Sequence, residues 1–214
     1  MAKNIKITLR HLKRAFDLSA FNHANAQEHM APNPRGSLVR ETTTPPKEAG
    51  VLALIFPKTD DLHIVLTRRT EHLRGHSGQV SFPGGKRDPE DTSFTNTALR
   101  ETCEELGICD DEVEVIGQMS RFYIPPSHFN VYPTVGYMPY EPLFAPNPNE
   151  VAEVFSFALN DLLDQQYRDV EYRDFQGIRV KIPFYKVQGH KVWGATAVML
   201  SELEHRLRAT LHAE

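Results

Sequence analysis

Three glutamates in one short segment are the residues of this chain best suited to chemistry. Glu101, Glu104 and Glu105 stand at positions i, i+3 and i+4, so on a helix they project within about 100° of one another. Like charges at this spacing destabilise a helix, whereas Mg²⁺ and Mn²⁺ prefer carboxylate oxygens as ligands. We therefore predict a divalent-metal site on this helix. A solvated acidic face is the alternative interpretation of the three glutamates alone.

The residues that must position these carboxylates surround them in the sequence. Residues 82–85, Phe-Pro-Gly-Gly, are typical of a turn, and the glycines would allow backbone carbonyls to approach an ion. Gly107 follows the helical pattern and can adopt the left-handed conformation that ends a helix. A stripe at helical spacing on the opposite side predicts a face packed on a sheet: Thr95, Leu99, Thr102, Cys103 and Leu106.

This segment resembles the Nudix box, whose pattern is Gly-x5-Glu-x7-Arg-Glu-U-x-Glu-Glu-x-Gly-U, with U a bulky apolar residue. Asp91 replaces the first Glu, eight residues rather than seven separate it from Arg100, and Thr102 occupies the first apolar position. The resemblance implies an α/β/α sandwich with a mixed sheet and a metal-dependent hydrolase of diphosphates. The matching residues are Gly85, Arg100, Glu101, Glu104, Glu105, Gly107 and Ile108.

A second stretch, directly upstream, resembles the additional signature of the coenzyme A diphosphatase branch of that family. Thr70 stands where the branch usually has Ser or Ala. The matching residues are Leu66, Thr67, Arg68, Arg69, Arg74, Gly78, Phe82, Pro83 and Gly84. The resemblance implies hydrolysis of coenzyme A or a derivative to 3′,5′-adenosine diphosphate and a 4′-phosphopantetheine product.

Two alternative functions stay open at this point. One is hydrolysis of another nucleoside diphosphate conjugate, such as ADP-ribose or a dinucleotide. The other is a Nudix-fold binding module that has lost catalysis. The three intact glutamates argue against the binding module, because such a module has no need to tolerate their mutual repulsion. The upstream arginines favour coenzyme A over other diphosphates.

Diphosphate hydrolysis requires neutralising two adjacent anionic groups and delivering water in line with the leaving oxygen, which metal ions promote. We predict Glu101 and Glu105 as metal ligands, with Glu104 as a ligand to a second ion. The resemblance adds the Gly84 carbonyl as a backbone ligand to Mg²⁺ or Mn²⁺. It also implies that Arg100 orients neighbouring carboxylates, so the predicted catalytic residues are Glu101, Glu104 and Arg100.

The general base and the substrate contacts are assigned to flanking segments. A box glutamate is one candidate for the base, and Glu150 or Glu153, after the loop at 144–149, is the other. Strand alternation sends Arg68 and Arg69 to opposite sides, so at most one of them faces the cleft. Arginine forks suit phosphate oxygens, and the predicted substrate-binding residues are Arg69, Arg74 and Gln79.

Composition sets limits on partners and location. A net charge of −4 and a sequence pI near 6.2 give no reason to expect nucleic acid or an anionic membrane as a partner. No apolar run approaches the roughly 20 residues of a membrane span. The two cysteines, Cys103 and Cys109, are expected to be free, with Cys103 a buried thiol, which fits a reducing compartment. We expect a cytoplasmic protein that acts on a small-molecule nucleoside diphosphate.

The chain is predicted to divide into residues 1–48, an N-terminal helix and Pro-rich linker, and residues 49–214, the Nudix domain. The basic amphipathic start at 5–21 is typical of a presequence or of a docking helix, and Asp17 and Glu28 favour the docking helix. That helix either covers the core or contacts a second subunit of a homodimer. Strands are predicted at 51–56, 63–67, 113–117, 131–137, 153–157 and 179–187, and helices at 159–166 and 194–212.

Overall fold

The computed structural model describes residues 6–34, 43–71, 78–175 and 177–212. In these ranges the helices are α1 (Leu9–Phe16), α2 (His23–Glu28), α3 (Phe94–Leu106), α4 (Leu159–Leu163) and α5 (Gly194–Leu211). The strands are β1 (Lys47–Lys58), β2 (Asp61–Arg69), β3 (Val80–Ser81), β4 (Gly84–Lys86), β5 (Glu114–Gln118), β6 (Phe122–Ile124), β7 (Phe129–Tyr137), β8 (Val151–Ala158), β9 (Arg168–Phe175), β10 (Ile178–Val187) and β11 (His190–Trp193).

The central sheet is mixed, as predicted. Its strands run in the order β3-β2-β1-β7-β5, with β4 also paired to β1, β6 to β7 and β8 to β2. β1 and β7 are parallel, with Ala53 opposite Val135, whereas β1 and β2 are antiparallel, with Ile55 opposite Ile64. The pairing of β1 with both β4 and β7 brings the Gly-Gly segment beside the middle of the sheet.

Both faces of the sheet are covered because β1 is apolar on both sides. Leu52, Leu54 and Phe56 pack in one cluster with residues of α3. Ala53 and Ile55, which alternate with them, belong to a second cluster that includes residues of α1 and α5. The architecture is therefore an α/β/α sandwich, and the predicted fold class is confirmed.

The remaining elements lie on the α5 side. Helices α1 and α2 both pack on α5, and Leu12 of α1 is fully buried, so the first helix covers the core. Strands β9, β10 and β11 form a separate antiparallel sheet, of which the sequence pattern predicted only β10. In the part of the chain that the structure describes, no helix combines the length and apolar character needed to cross a membrane.

Helix α3 has identifiable ends, but its buried side differs from the predicted stripe. The Ser93 side chain accepts a hydrogen bond from the Asn96 N–H at 3.0 Å and caps the first turn. Thr95, Leu99 and Cys103 are only partly buried. The buried residues are Thr97, Ala98, Thr102, Glu105 and Leu106. The helix packs against both β1 and β4, and this turns a glutamate inward, which a hydrophobic pattern does not predict because glutamates are rarely buried.

The two cysteines form a disulfide, so the prediction of free thiols is wrong. Gly107 ends α3 with φ 73°, in the left-handed conformation, and its N–H donates to the Cys103 carbonyl at 2.9 Å. The chain reverses there, which brings the Cys109 Cα to 4.5 Å from the Cys103 Cα, within reach of a disulfide. Cys103 is partly exposed rather than part of the packed face.

Candidate active site

Glu105 is a buried carboxylate beneath the Gly-Gly strand. Its residue surface is 3% exposed. The Gly84 N–H donates to its Oε2 at 3.2 Å, and the Arg69 Nη1 lies 3.6 Å from its Oε1. Burial raises the pKa of Glu105 to about 7, and the negative charges of Glu150 and Glu101 add to this effect against the opposing influence of Gly84 and Arg69.

Glu101 lies one turn earlier and touches the neighbouring residue of the same strand. A Cβ atom at Gly85 would lie 2.2 Å from the Glu101 Oε2, so only glycine leaves room for the carboxylate in this position. The Glu101 side chain is 16% exposed. Burial raises its pKa, the Arg100 charge opposes the shift, and the charges of Glu104 and Glu150 reinforce it. Glu101 and Glu105 therefore converge on β4 despite their repulsion.

Arg100 contacts the carboxylates of Asp91, Glu101 and Glu104. Its Nε and Nη2 each lie 3.0 Å from an oxygen of Asp91, a bidentate pair. Its Nη2 is also 3.0 Å from the Glu101 Oε1. This hydrogen bonding holds the pKa of buried Asp91 well below its usual range and raises that of Arg100. Arg100 thus contacts the carboxylates it was predicted to orient, and Asp91, at the substituted motif position, is its principal partner.

Glu104 is placed differently from the other two glutamates. Its side chain is 58% exposed and its Oε1 lies 3.2 Å from the Arg100 Nη1. Among the described residues, no group of three carboxylate, imidazole or thiol side chains is arranged closely enough to hold a metal ion. The structure thus brings Glu101 and Glu105 together and leaves Glu104 bound to the arginine.

The loop before β8 brings a third carboxylate to this pair. The Ala145 N–H donates to the Leu106 carbonyl at 2.8 Å, and the Asn147 N–H donates to the Glu105 carbonyl at 2.9 Å. These bonds satisfy carbonyls at the end of α3, which a helix alone leaves unpaired. The charge of Glu150, at the end of the loop, acts on both Glu101 and Glu105.

Glu153, the other distant candidate for the base, is engaged elsewhere. Its Oε2 accepts a hydrogen bond from the Arg68 Nε at 3.0 Å, and its Oε1 lies 3.1 Å from the His190 Nε2. These contacts, the Arg68 bond first, lower the pKa of Glu153. Arg68 and Arg69 have different partners, Glu153 and Glu105, in agreement with the predicted alternation. Of the two distant acids, Glu150 is therefore the one near the glutamate pair.

The predicted substrate-binding residues are placed only in part. Arg69 reaches the site through Glu105, and its N–H donates to the Gln79 carbonyl at 3.0 Å, so Gln79 is beside the end of β2. Arg74 lies outside the described residues. Sequence reasoning missed Thr70, whose backbone N–H and hydroxyl bind the loop that carries Glu150. The available signal was its place in the upstream signature, between Arg69 and the glycine-rich turn.

Similarity to known proteins identifies the family. The model of the NUDIX domain matches residues 46–175. A relative in Photorhabdus laumondii, named Uncharacterized Nudix hydrolase NudL, is 38% identical over 165 residues, covering 76% of this chain and 86% of the relative. The protein of that name in Yersinia pestis is 38% identical over 163 residues, covering 75% of this chain and 80% of the relative. The chain belongs to the Nudix family and is a hydrolase that acts on acid anhydrides in phosphorus-containing substrates.

Solved structures agree on the fold. A MutT/nudix family protein from Enterococcus faecalis aligns with a TM-score of 0.53 and 14% identity, covering 96% of this chain and 76% of that protein. The MutT protein from Methanosarcina mazei aligns with a TM-score of 0.50 and 20% identity, covering 78% and 97%. At these identities the likeness concerns the sandwich and not the substrate.

Proposed function

We propose that this hydrolase cleaves the diphosphate bond of coenzyme A or a derivative, giving 3′,5′-adenosine diphosphate and a 4′-phosphopantetheine product. The observation that carries the proposal is the 3.6 Å approach of Arg69 to Glu105. This contact joins the upstream signature that resembles the coenzyme A branch to the acidic helix. An arginine beside the buried carboxylate is placed to bind a phosphate oxygen of a substrate held there.

A divalent cation fits the residues present. Nudix hydrolases generally use divalent metals, and Glu101 and Glu105 offer the hard oxygen ligands that Mg²⁺ and Mn²⁺ prefer. Burial raises the pKa values of both carboxylates, so a bound cation would offset the cost of burying them in the charged form. The Gly84 carbonyl and, after release from Arg100, Glu104 complete the proposed set. A bound cation would supply Lewis-acid polarisation of the phosphoryl oxygens and a lower pKa for water.

The other residues have separate proposed roles. Glu150 is the preferred general base: it would accept the proton of a water whose oxygen forms a bond to phosphorus as the bridging P–O bond breaks. Arg100 would keep Glu101 in its rotamer through its contacts with Asp91 and Glu101 described above. Arg69, with Gln79 and Arg74, would bind the substrate phosphates.

The proposal is tested by comparing coenzyme A, ADP-ribose and diadenosine polyphosphate as substrates of the full chain, with Mg²⁺, with Mn²⁺ and with chelator. We expect metal-dependent turnover, highest with coenzyme A, and equimolar release of the two predicted products. If ADP-ribose or a dinucleotide is turned over faster than coenzyme A, that compound becomes the assigned substrate. No turnover of any diphosphate with either metal would favour the binding module.

A second test separates the metal ligands from the base. Glu105→Gln is expected to abolish metal-dependent turnover, whereas Glu150→Gln should reduce the rate and leave Mn²⁺ affinity unchanged. Turnover near that of the wild type in Glu105→Gln would overturn the ligand assignment. Weakened Mn²⁺ binding in Glu150→Gln would make Glu150 a ligand instead of the base.

The organisation and location of the protein are further proposals. We infer that residues 1–48 form an extension and residues 49–214 the catalytic domain; the family match, which begins at residue 46, supports this division. A homodimer, a cytoplasmic location and the lack of nucleic-acid and membrane partners are proposed from the sequence. Light scattering tests the homodimer, and cell fractionation of the full chain tests the location.

A further inference from the structure

Thr70 connects the end of β2 to the loop that carries Glu150. Its backbone N–H donates to the Glu150 carbonyl at 3.0 Å, and its hydroxyl donates to the Asn149 carbonyl at 3.1 Å. The residue is 8% exposed, so water competes poorly for either bond. Two consecutive carbonyls of the loop are therefore held by a single residue, and one of the two bonds depends on the side chain.

The same loop is also fixed to the acidic helix. The Asn147 N–H donates to the Glu105 carbonyl at 2.9 Å, and the Asn147 carbonyl accepts from the Glu150 and Val151 N–H groups at 3.0 and 2.9 Å. The loop is thus bound on one side to α3 and on the other side to Thr70. Asn147 is attached to α3 and Glu150 to Thr70, and these two attachments determine where the Glu150 peptide sits relative to Glu105.

We propose that Thr70 is a positioning residue that acts through Glu150. Its hydroxyl and N–H hold the Asn149 and Glu150 carbonyls, and so fix Glu150 relative to Asn147, whose N–H is bonded to the Glu105 carbonyl. This inference rests on the proposed role of Glu150 as the base. A misplacement of about 1 Å at a reacting group can reduce a rate about a hundredfold, so a lost hydroxyl would affect turnover without touching substrate.

The test compares Thr70→Val, which removes the hydroxyl at nearly constant volume, with Thr70→Ser, which keeps it. We expect kcat to fall about tenfold to a hundredfold in Thr70→Val, with KM and Mn²⁺ affinity nearly unchanged, and to recover in Thr70→Ser. A double-mutant cycle with Glu150→Gln follows, because a residue that acts only through Glu150 should cause no further loss in that background. Thermal unfolding of each variant shows that it is folded.

Amide hydrogen exchange gives a readout that does not depend on turnover. In metal-free Thr70→Val the Glu150 and Val151 amides should exchange at least about tenfold faster than in the wild type, which corresponds to about 1.4 kcal/mol. Unchanged exchange together with unchanged kcat would overturn the inference. An equal loss of kcat in the wild-type and Glu150→Gln backgrounds, or a change confined to KM, would also overturn it.

Failure of the proposed substrate is distinguishable from failure of this inference. If the wild type does not hydrolyse coenzyme A but hydrolyses another diphosphate, the cycle is measured with that substrate. If Glu150→Gln retains full turnover with every substrate, the inference fails together with the base, whatever the substrate. The exchange rates then show whether Thr70 holds the loop for stability alone.

Discussion

The buried carboxylate of Glu105 should make the metal-free protein less stable than a neutral variant. The pKa of Glu105 is raised from 4.5 to about 7, so the folded protein binds this proton more tightly than the unfolded chain. Between these two pH values unfolding releases a proton, and the free energy of unfolding therefore falls as pH rises through this window. One pKa unit equals about 1.4 kcal/mol, so the loss above pH 8 is about 3 kcal/mol.

Glu105→Gln removes this ionisation and keeps the side-chain volume. In buffer with chelator at pH 8, we expect the variant to be more stable than the wild type by up to about 3 kcal/mol, or about 6–12 °C in Tm for a chain of this size. The difference should vanish near pH 4.5. Urea denaturation from pH 4.5 to 8.5 measures it. Added Mg²⁺ should stabilise the wild type and not the variant, which should also lack turnover.

Glu104→Gln is the matched control, because Glu104 is on the same helix but mostly exposed and bound to Arg100. Its free energy of unfolding should differ from that of the wild type by no more than about 0.5 kcal/mol. This difference should not grow between pH 4.5 and 8. The reasoning is refuted if Glu105→Gln is less stable than the wild type at pH 8 without metal. A stability difference that does not depend on pH would refute it equally.

Three further predictions concern the surroundings of the glutamate pair. Gly85→Ala places a Cβ 2.2 Å from the Glu101 Oε2, so the carboxylate must move and turnover should fall at least about tenfold. Because the carboxylate can move, the free energy of unfolding, measured by urea denaturation, should change by less than about 1 kcal/mol. Reducing the Cys103–Cys109 disulfide, which spans six positions, should lower the unfolding free energy by about 2 kcal/mol, as measured with and without dithiothreitol. Arg100→Lys removes the bidentate pair with Asp91 and should lower the free energy of unfolding by about 3 kcal/mol at pH 7, as measured by denaturation.

Each of these has a control. Reductant should have no effect on the stability of a variant in which both cysteines are Ala. For Arg100→Lys, the loss should be complete above pH 3.8, the value of Asp91 in the unfolded chain, and should shrink progressively as pH falls from there toward the lowered pKa of Asp91 in the folded protein. A Gly85→Ala protein with full turnover would show that Glu101 does not need its present position. A loss for Arg100→Lys that is as large at pH 3 as at pH 7 would contradict the role given to Asp91.

Much of the fold was predictable because local patterns and the tertiary structure agree. The apolar run at 51–56 became the middle of β1, and the alternation at 179–187 became β10. Gly107 ends helix α3, as predicted, through a bond to Cys103 four residues earlier, and sequence patterns capture such local bonds well. β9 was not predicted because most of its eight residues are charged, so its sequence lacks a strand pattern. It is a strand because it pairs with β10.

The sequence by itself determined the family: the glutamates, the glycine turn and the arginines occur at spacings that resemble the Nudix box, and the match to the NUDIX domain confirms that family. Only the tertiary structure decided which of these residues are buried beside the glycine turn and which are not. Packing of α3 on β4 buried Glu105 and left Glu104 with Arg100. A reversal at Gly107 brought the two cysteines together. Glu150 follows Glu105 by about 45 residues, and hydrogen bonds of its loop bring it to the site. The sequence alone does not reveal this, because burial and long-range hydrogen bonds depend on neighbours that are distant in the sequence.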